Sequence, residues 1–289
     1  MNKKEIEILF QEIDSIEGNI TKVAPGHGGS INQSYLVTLD TGQLLFVKTH
    51  SNTSIPGMYE AEAKALNLLA VHDVIEVPRS IHASDDYLVL EAFHEGMPAS
   101  DWQEQMGRGL ALLHQLTRSY QFGFECDNFL GTTPQENTWR DDWITFWREQ
   151  RLTPQLALYA KVAGKGESLL TKGEQLLNRL DEVLVADPEP GVLLHGDLWS
   201  GNAAANAEGA PVIYDPASYY GHREAEFGMM RLFGGFGPSC EAAYQEVWPL
   251  QPEYNRRVAV YVLYHQLNHL NIFGDSYYPG CLSTLKNII

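Results

Sequence analysis

Residues 195–202 read His-Gly-Asp-Leu-Trp-Ser-Gly-Asn and follow an apolar run, Val192–Leu194. An aspartate and an asparagine five positions apart in one tight loop can point into a single site, with the carboxylate of Asp197 toward a nucleophile and the amide oxygen of Asn202 toward a metal. A second carboxylate, Asp215, stands thirteen residues beyond Asn202, directly after the strand-like Val212–Tyr214, where a strand end delivers a side chain into a cleft. Asn202 and Asp215 are hard oxygen ligands of the kind that hold Mg²⁺ carried in on substrate phosphates. Together the three residues suit phosphoryl transfer to a hydroxyl that Asp197 positions. A turn in which Asp197 and Asn202 serve only as caps is the plainer reading, but it leaves Asp215 and the flanking apolar runs without a role.

Such a reaction needs groups that cover and clamp the phosphates. Gly26-His-Gly-Gly-Ser30 joins two strand-like runs, and Gly28, Gly29 and Ser30 would let backbone N–H groups approach phosphate oxygens with no Cβ in the way. The loop is neither G-x-G-x-x-G nor a Walker A sequence, so by itself it is a weak signal. The next strand, Leu44-Leu45-Phe46-Val47-Lys48, ends in a lysine that packing does not explain. It needs an anion, and ATP phosphates with a helix carboxylate would satisfy it. A helix predicted over Tyr59–Val71 offers Glu60 and Glu62, which two residues apart cannot both face one partner. Glu62, ahead of Ala65, Leu66 and Leu69 as the ion-pair glutamate is in related folds, is the assignment taken, with Glu60 the alternative.

The elements that must position these groups change character once along the chain. β-rich runs are expected at Thr21–Ala24, Tyr35–Leu39, Leu44–Thr49, Ser80–Ala83 and Tyr87–Phe93, interrupted by the one helix. From about residue 100 helical patterns dominate: one opens with a capping box of Ser100 and Gln103, and others follow near 140–160, 166–186, 222–233, 239–247 and 253–272. A small β-rich lobe, 1–95, and a larger helical lobe, 96–289, are therefore expected. The 289 residues, 44% hydrophobic and 20% charged, fit two packed lobes of a globular protein. A net charge of −17 argues against nucleic acid and an anionic membrane surface as partners, and favours a neutral or cationic substrate. No apolar run is long enough to span a bilayer and Met1–Phe10 lacks the apolar centre of a signal peptide, so the cytoplasm is expected. Cys126, Cys240 and Cys281 have neither disulfide-framework nor zinc spacing. No sequence feature sets an oligomeric state.

The sequence resembles the fructosamine kinase (ketosamine 3-kinase) family, within the aminoglycoside phosphotransferase-like branch of the protein-kinase fold. The branch is suggested by Lys48, Glu62, His195–Asn202 and Asp215-Pro-Ala, which stands where protein kinases carry Asp-Phe-Gly. The family is suggested by longer strings: Gly28-Gly-Ser-Ile-Asn32, Leu194–Asn202, Asp215–Gly228, Leu232–Phe236 and Tyr264–Asn271, which span nearly the whole chain. The resemblance implies an α+β, two-lobed fold with a small antiparallel sheet and one helix in the N-lobe. It also implies ATP and Mg²⁺, and as acceptor a free or protein-bound ketosamine phosphorylated on its C3 hydroxyl. Phosphorylation there makes the adduct unstable, hence a deglycation repair activity; ribulosamines and erythrulosamines are expected over fructosamines. By resemblance to kinase hinges, backbone groups of Glu91 and Phe93 would bond the adenine edge, with Leu90 behind it.

On the acceptor side, Trp199 inside the loop could stack on a sugar face or attract a cationic amine, and His265 is taken as an acceptor contact. His265 and His269 form an i, i+4 pair but lack a third ligand for zinc. Glu224 and Glu226 open a helix, and Glu226 is the expected partner of the loop. Trp139, Trp143 and Trp147 are expected as one buried helix stripe, with Asp141 and Asp142 solvated or capping. The alternatives are an aminoglycoside or an amino alcohol such as choline as acceptor, and a nucleotide-binding interaction protein without catalysis. Against the latter stand Lys48, Asp197, Asn202 and Asp215 together.

Overall fold

The computed structural model describes residues 3–26, 32–51, 54–162 and 167–289. They form two compact units, Met1–Trp102 with Gly201–Asp215, and Gln103–Ser200 with Pro216–Ile289. The first unit thus runs past residue 95 and takes back a segment from far along the chain. The cause is a hairpin, Ala203–Ala205 paired with Pro211–Ile213. Its backbone accepts Gly96 N–H at Ala205 O and Ala99 N–H at Gly209 O, both 3.0 Å, and its Ala204 O accepts the Trp102 indole N–H at 3.2 Å.

In this unit β1 (Ile20–Pro25), β2 (Asn32–Leu39), β3 (Leu44–His50), β4 (Ser80–Ala83) and β5 (Tyr87–Glu91) make one antiparallel sheet in the order β1-β2-β3-β5-β4. Alternation along β3 sets its two faces. Leu45 and Val47 pack with Val37, Leu39 and Val89 against Ile6, Leu9 and Phe10 of α1 (Lys3–Phe10). Leu44, Phe46 and Lys48 fall on the opposite face. Each fully buried aliphatic in such a core contributes roughly 1.5–3 kcal/mol. Helix α2 (Met58–Leu69) buries Ala61, Ala65, Leu66 and Leu69, and Glu62, on the same side of the helix, reaches Lys48 of β3.

In the second unit α3 (Trp102–Leu116) buries Met106, Leu110 and Leu113. The Ser100/Gln103 capping box does not form. The Gln103 amide is engaged elsewhere, donating to Gly235 O at 3.0 Å and accepting Gly237 N–H at 2.9 Å. Short strands β6 (Arg118–Ser119), β7 (Asn128–Leu130), β8 (Thr133–Gln135) and β9 (Gly191–Leu194) follow, with β9 set between β6 and the strand Tyr219–Gly221. Helix α4 (Trp143–Trp147) begins with Asp142 as its cap, accepting Thr145 N–H at 2.7 Å, and continues as one π-helical turn, Arg148–Leu152, into α5 (Thr153–Val162). Trp139 is not on this helix; it precedes it in extended chain, its ring 5.7 Å from that of Tyr220. Helices α6 (Glu167–Leu177), α7 (Leu180–Val183), α8 (Glu226–Phe233), α9 (Pro238–Val247), α10 (Tyr254–Phe273) and α11 (Tyr278–Ile288) complete the unit. Trp143 and Trp147 pack on Tyr261 of α10, and the Trp143 indole donates to the Tyr261 hydroxyl at 3.1 Å. Among the described residues no helix is long and apolar enough to cross a membrane.

Candidate active site

Strand β3 carries Lys48 to the end of its pocket face, and α2 brings Glu62 to meet it. The ammonium donates to Glu62 Oε1 at 2.5 Å and to Asp215 Oδ1. Burial alone would discharge Lys48, but Asp215 and Glu62 beside it outweigh that effect and hold it protonated. Burial also raises the pKa of Glu62 in spite of Lys48, and Asp215 adds to the rise. Two carboxylates on one ammonium leave an excess of negative charge that a divalent cation would offset, which is the condition a magnesium site requires. Glu60 is exposed and outside this cluster.

Asp215 has φ of +58°, in the left-handed region that costs a non-glycine residue free energy. The strain turns its side chain back onto Lys48 at the end of Pro211–Ile213. Asn202 is buried beside it: its carbonyl accepts Tyr214 N–H at 3.0 Å and its amide nitrogen donates to the carbonyl of Asp215 at 3.4 Å. The amide oxygen is thereby turned away from that carbonyl. Asn202 and Asp215 can supply two oxygen donors. Among the described residues no group of three or more His, Cys, Asp or Glu could hold a metal by itself.

A pocket of about 290 Å³ opens on the same face, lined by Leu36, Leu44, Phe46 and Leu90 along its apolar walls and by Lys48 and Asp215 at its polar end. Glu91 and Phe93 line it as well, and the Glu91 N–H is engaged by Arg79 O at 2.9 Å. Gly26 also borders it. A Cβ there would come within 2.7 Å of the Phe46 ring, so only glycine lets the backbone lie against that wall. Apolar walls ending in a cation and a carboxylate suit a flat aromatic base joined to a polyphosphate. Gly28, Gly29 and Ser30 lie outside the described residues.

In the second unit, Asp197 and Trp199 sit on the loop that follows β9. The Glu226 carboxylate, at the start of α8, accepts the His195 N–H at 2.6 Å and the Gly196 N–H at 3.0 Å. Behind it lies His114 Nε2, 3.6 Å away, and His114 Nδ1 meets the Tyr244 hydroxyl at 2.9 Å. Gly196 has φ of +81°, and a Cβ on it would meet Ala217 O at 2.2 Å. Asp197 N–H points to His195 Nδ1 at 3.3 Å. Glu224, by contrast, serves structure, in a doubly hydrogen-bonded pair with Arg257 at 2.6 and 2.7 Å. Trp199 is half-buried, its ring 5.5 Å from Phe233. His265 is buried on α10 edge-on to Tyr264, and burial pulls its pKa down to about 3, so the ring is neutral.

One support of this loop has no counterpart in the sequence reading. Arg151, on the π-helical turn, is fully buried between the rings of Phe146 and Tyr219, at 4.5 and 4.2 Å, and among the described residues has no carboxylate partner. It donates to Asn137 Oδ1 at 2.6 Å; Asn137 Nδ2 donates to Asn128 Oδ1 at 3.0 Å. Asn128 Nδ2 then donates to Ser218 O at 2.7 Å, and Gln135 Nε2 to Ala217 O at 3.2 Å. Ala217 N–H donates in turn to His195 O at 2.9 Å. A chain of buried amides thus fastens residues 217–218 and, through them, the start of the loop. The stretch Asn128–Asn137 reads as an ordinary polar turn, and nothing in its composition marks it as buried.

A lysine shared by a helix carboxylate and a strand-end aspartate, on an antiparallel sheet followed by a helical unit, defines a phosphotransferase of the protein-kinase-like fold. Solved aminoglycoside phosphotransferase structures have this fold: one of APH(4)-Ia has a TM-score of 0.66 with 98% of this chain and 96% of that chain covered, and at 12% identity the likeness is of fold alone. The chain belongs to the fructosamine kinase family, whose model matches residues 2–289, and by that membership it is an ATP-dependent phosphotransferase. A probable ketoamine kinase of Synechocystis is 42% identical over 91% of this chain and 88% of its own length. The chloroplastic protein-ribulosamine 3-kinase of Arabidopsis thaliana is 40% identical over 93% and 83%. The crystal structure of a candidate fructosamine-3-kinase from Thermobifida fusca superposes with a TM-score of 0.91 at 30% identity, covering 99% of both chains.

Proposed function

We propose that this protein transfers the γ-phosphate of ATP to the C3 hydroxyl of a ketosamine, free or protein-bound, as a cytoplasmic repair activity for glycated amines. The observation that carries this reading is Lys48 shared between Glu62 and Asp215 at the polar end of an apolar pocket, in a chain of the fructosamine kinase family. The names of its relatives support a ketosamine acceptor, with ribulosamines favoured.

Residues 1–95 with 201–215 act as the nucleotide side, and the rest of 96–289 as the catalytic and acceptor side. The base lies among Leu36, Leu44, Phe46 and Leu90, with backbone groups of Glu91 and Phe93 at its edge; the phosphate-binding role read in the sequence for Gly28, Gly29 and Ser30 falls outside the described residues. Lys48, fixed by Glu62, binds the phosphates. Asn202 and Asp215 would hold Mg²⁺, which when bound neutralises phosphate charge. Asp197 orients the C3 hydroxyl and takes its proton as the oxygen attacks the γ-phosphorus and ADP leaves. Trp199 and His265 face the acceptor. The neutral His265 has a buried Nδ1 with no hydrogen-bond partner among the described residues, so a sugar hydroxyl would reach it only where the side chains that cover it part.

The test is ATP consumption with Mg²⁺ on ribulose-lysine, fructose-lysine, kanamycin and choline, beside Asp197→Ala. Ketosamine-dependent turnover lost in the variant supports the reading. Turnover with kanamycin or choline alone overturns the acceptor, and ATP binding without turnover overturns catalysis.

A further inference from the structure

An aromatic face leads away from the catalytic loop across the second unit. From Trp199 the ring centroids step 5.5 Å to Phe233, 4.7 Å to His269 and 5.4 Å to Phe273, with Tyr277 5.3 Å from His269. These rings come from four places in the chain: the loop, the end of α8, the last turns of α10 and the turn before α11. None of the five is fully buried, and Phe273 is 52% exposed. A packing cluster would be covered; a half-open row of aromatic rings beside a reactive aspartate is a recognition surface in the making.

We infer that this face holds the carrier side of the acceptor: the secondary amine, the lysyl methylenes and the adjoining residues of a glycated polypeptide. The inference rests on the ketosamine reading above and extends it from the sugar to what the sugar is attached to. Three observations favour that occupant. Aromatic faces attract an alkylammonium through their ring electrons while covering its methylene stem. Between Arg257 and Lys286 the only charged residue is Asp275, so this stretch carries no cation to repel a lysine-rich segment, in a chain of net charge −17. Burial keeps His269 neutral despite the His265 carbonyl that its Nδ1 meets at 2.8 Å, so the row has no positive ring. Phe273 and Tyr277 each stand three ring-to-ring steps from Trp199, at the end of the row away from the loop, and are therefore assigned to polypeptide rather than sugar.

The decisive comparison is between two acceptors with the same sugar: the ribulosyl adduct of methylamine, and a hexapeptide with one ribulosyl-lysine. Phe273→Ala and Tyr277→Ala are expected to raise KM for the peptide about tenfold while kcat, and all constants for the methylamine adduct, stay within about twofold. Phe273→Trp should restore the peptide KM. Equal effects on both acceptors, or none on either, overturn the inference while leaving the ketosamine reading intact. A wild-type dimer that Phe273→Ala disperses, seen by light scattering, overturns it in favour of a self-interface. Absence of wild-type turnover on both acceptors overturns the ketosamine reading and this inference with it.

Discussion

Glu226 holds His195 by its backbone, accepting the N–H at 2.6 Å while its second oxygen accepts Gly196 N–H. Burial pushes the Glu226 pKa up, but His114, His195 and the Gly196 amide outweigh it, and the folded value lies below the ordinary one. A depressed carboxylate pKa contributes stability that is present above the unfolded value and lost as pH falls through the folded one. His114, whose pKa burial lowers, acts in the same direction, since it must gain a proton in acid. Glu226→Gln is therefore expected to lose about 2 kcal/mol at neutral pH. Its stability should also fall less steeply than the wild type's below about pH 4.5, read by denaturant melts across that range.

Glu62→Gln keeps the shape of the lysine clamp but removes one of its two charges. We expect kcat/KM for ATP to fall by about 10²-fold, while Glu60→Gln, altering an exposed side chain, leaves it within about twofold. Steady-state kinetics on the pair separates the two helix carboxylates.

Asp197→Asn removes the proton acceptor and leaves the loop's backbone contacts in place. Turnover is expected to drop by about 10²–10⁴-fold, with nucleotide affinity and melting temperature close to wild type, as titration calorimetry and thermal melts would report. Asp215→Asn should instead weaken ATP binding selectively when Mg²⁺ is present.

Asn128→Ala breaks the amide chain at its branch, leaving Ser218 O, Gln135 Nε2 and Asn137 Nδ2 short of a partner. The expected cost is about 2–3 kcal/mol, a fall in melting temperature of about 5–10 °C. Because the chain ends on the backbone that holds His195, kcat should fall more than KM for ATP.

The sheet was readable because its strands announce themselves by alternation. Ser80–Ala83 has the bounds expected, and β3 puts Lys48 on the pocket face by period two alone. Helix spacing says only that Glu60 and Glu62 cannot both face Lys48; the choice of Glu62 follows the likeness to related folds, and Glu62 is the one in contact. The second partner of Lys48, Asp215, reads in the sequence only as a metal ligand, because a contact across more than 160 residues leaves no local pattern. Helix α11 is not legible in the sequence: Pro279 and Gly280 in its first turn look like a break, yet proline is tolerated there because that N–H has no helical acceptor. The tryptophan stripe was one residue too long, since regular spacing cannot say that Trp139 lies ahead of the cap at Asp142. Arg151 was invisible for a different reason. A buried arginine satisfied by carbonyls and amides looks, in one dimension, like any surface arginine.

The left-handed backbone of Asp215 sets two kinds of selection against each other at one position. Glycine or asparagine would sit there with less backbone cost, so a library screened for heat resistance should enrich both at residue 215. The same library screened for turnover should discard them, since neither restores the carboxylate. Sequences recovered from the two screens would diverge first at this residue, and a thermostabilised form of the enzyme would have to find its gains elsewhere.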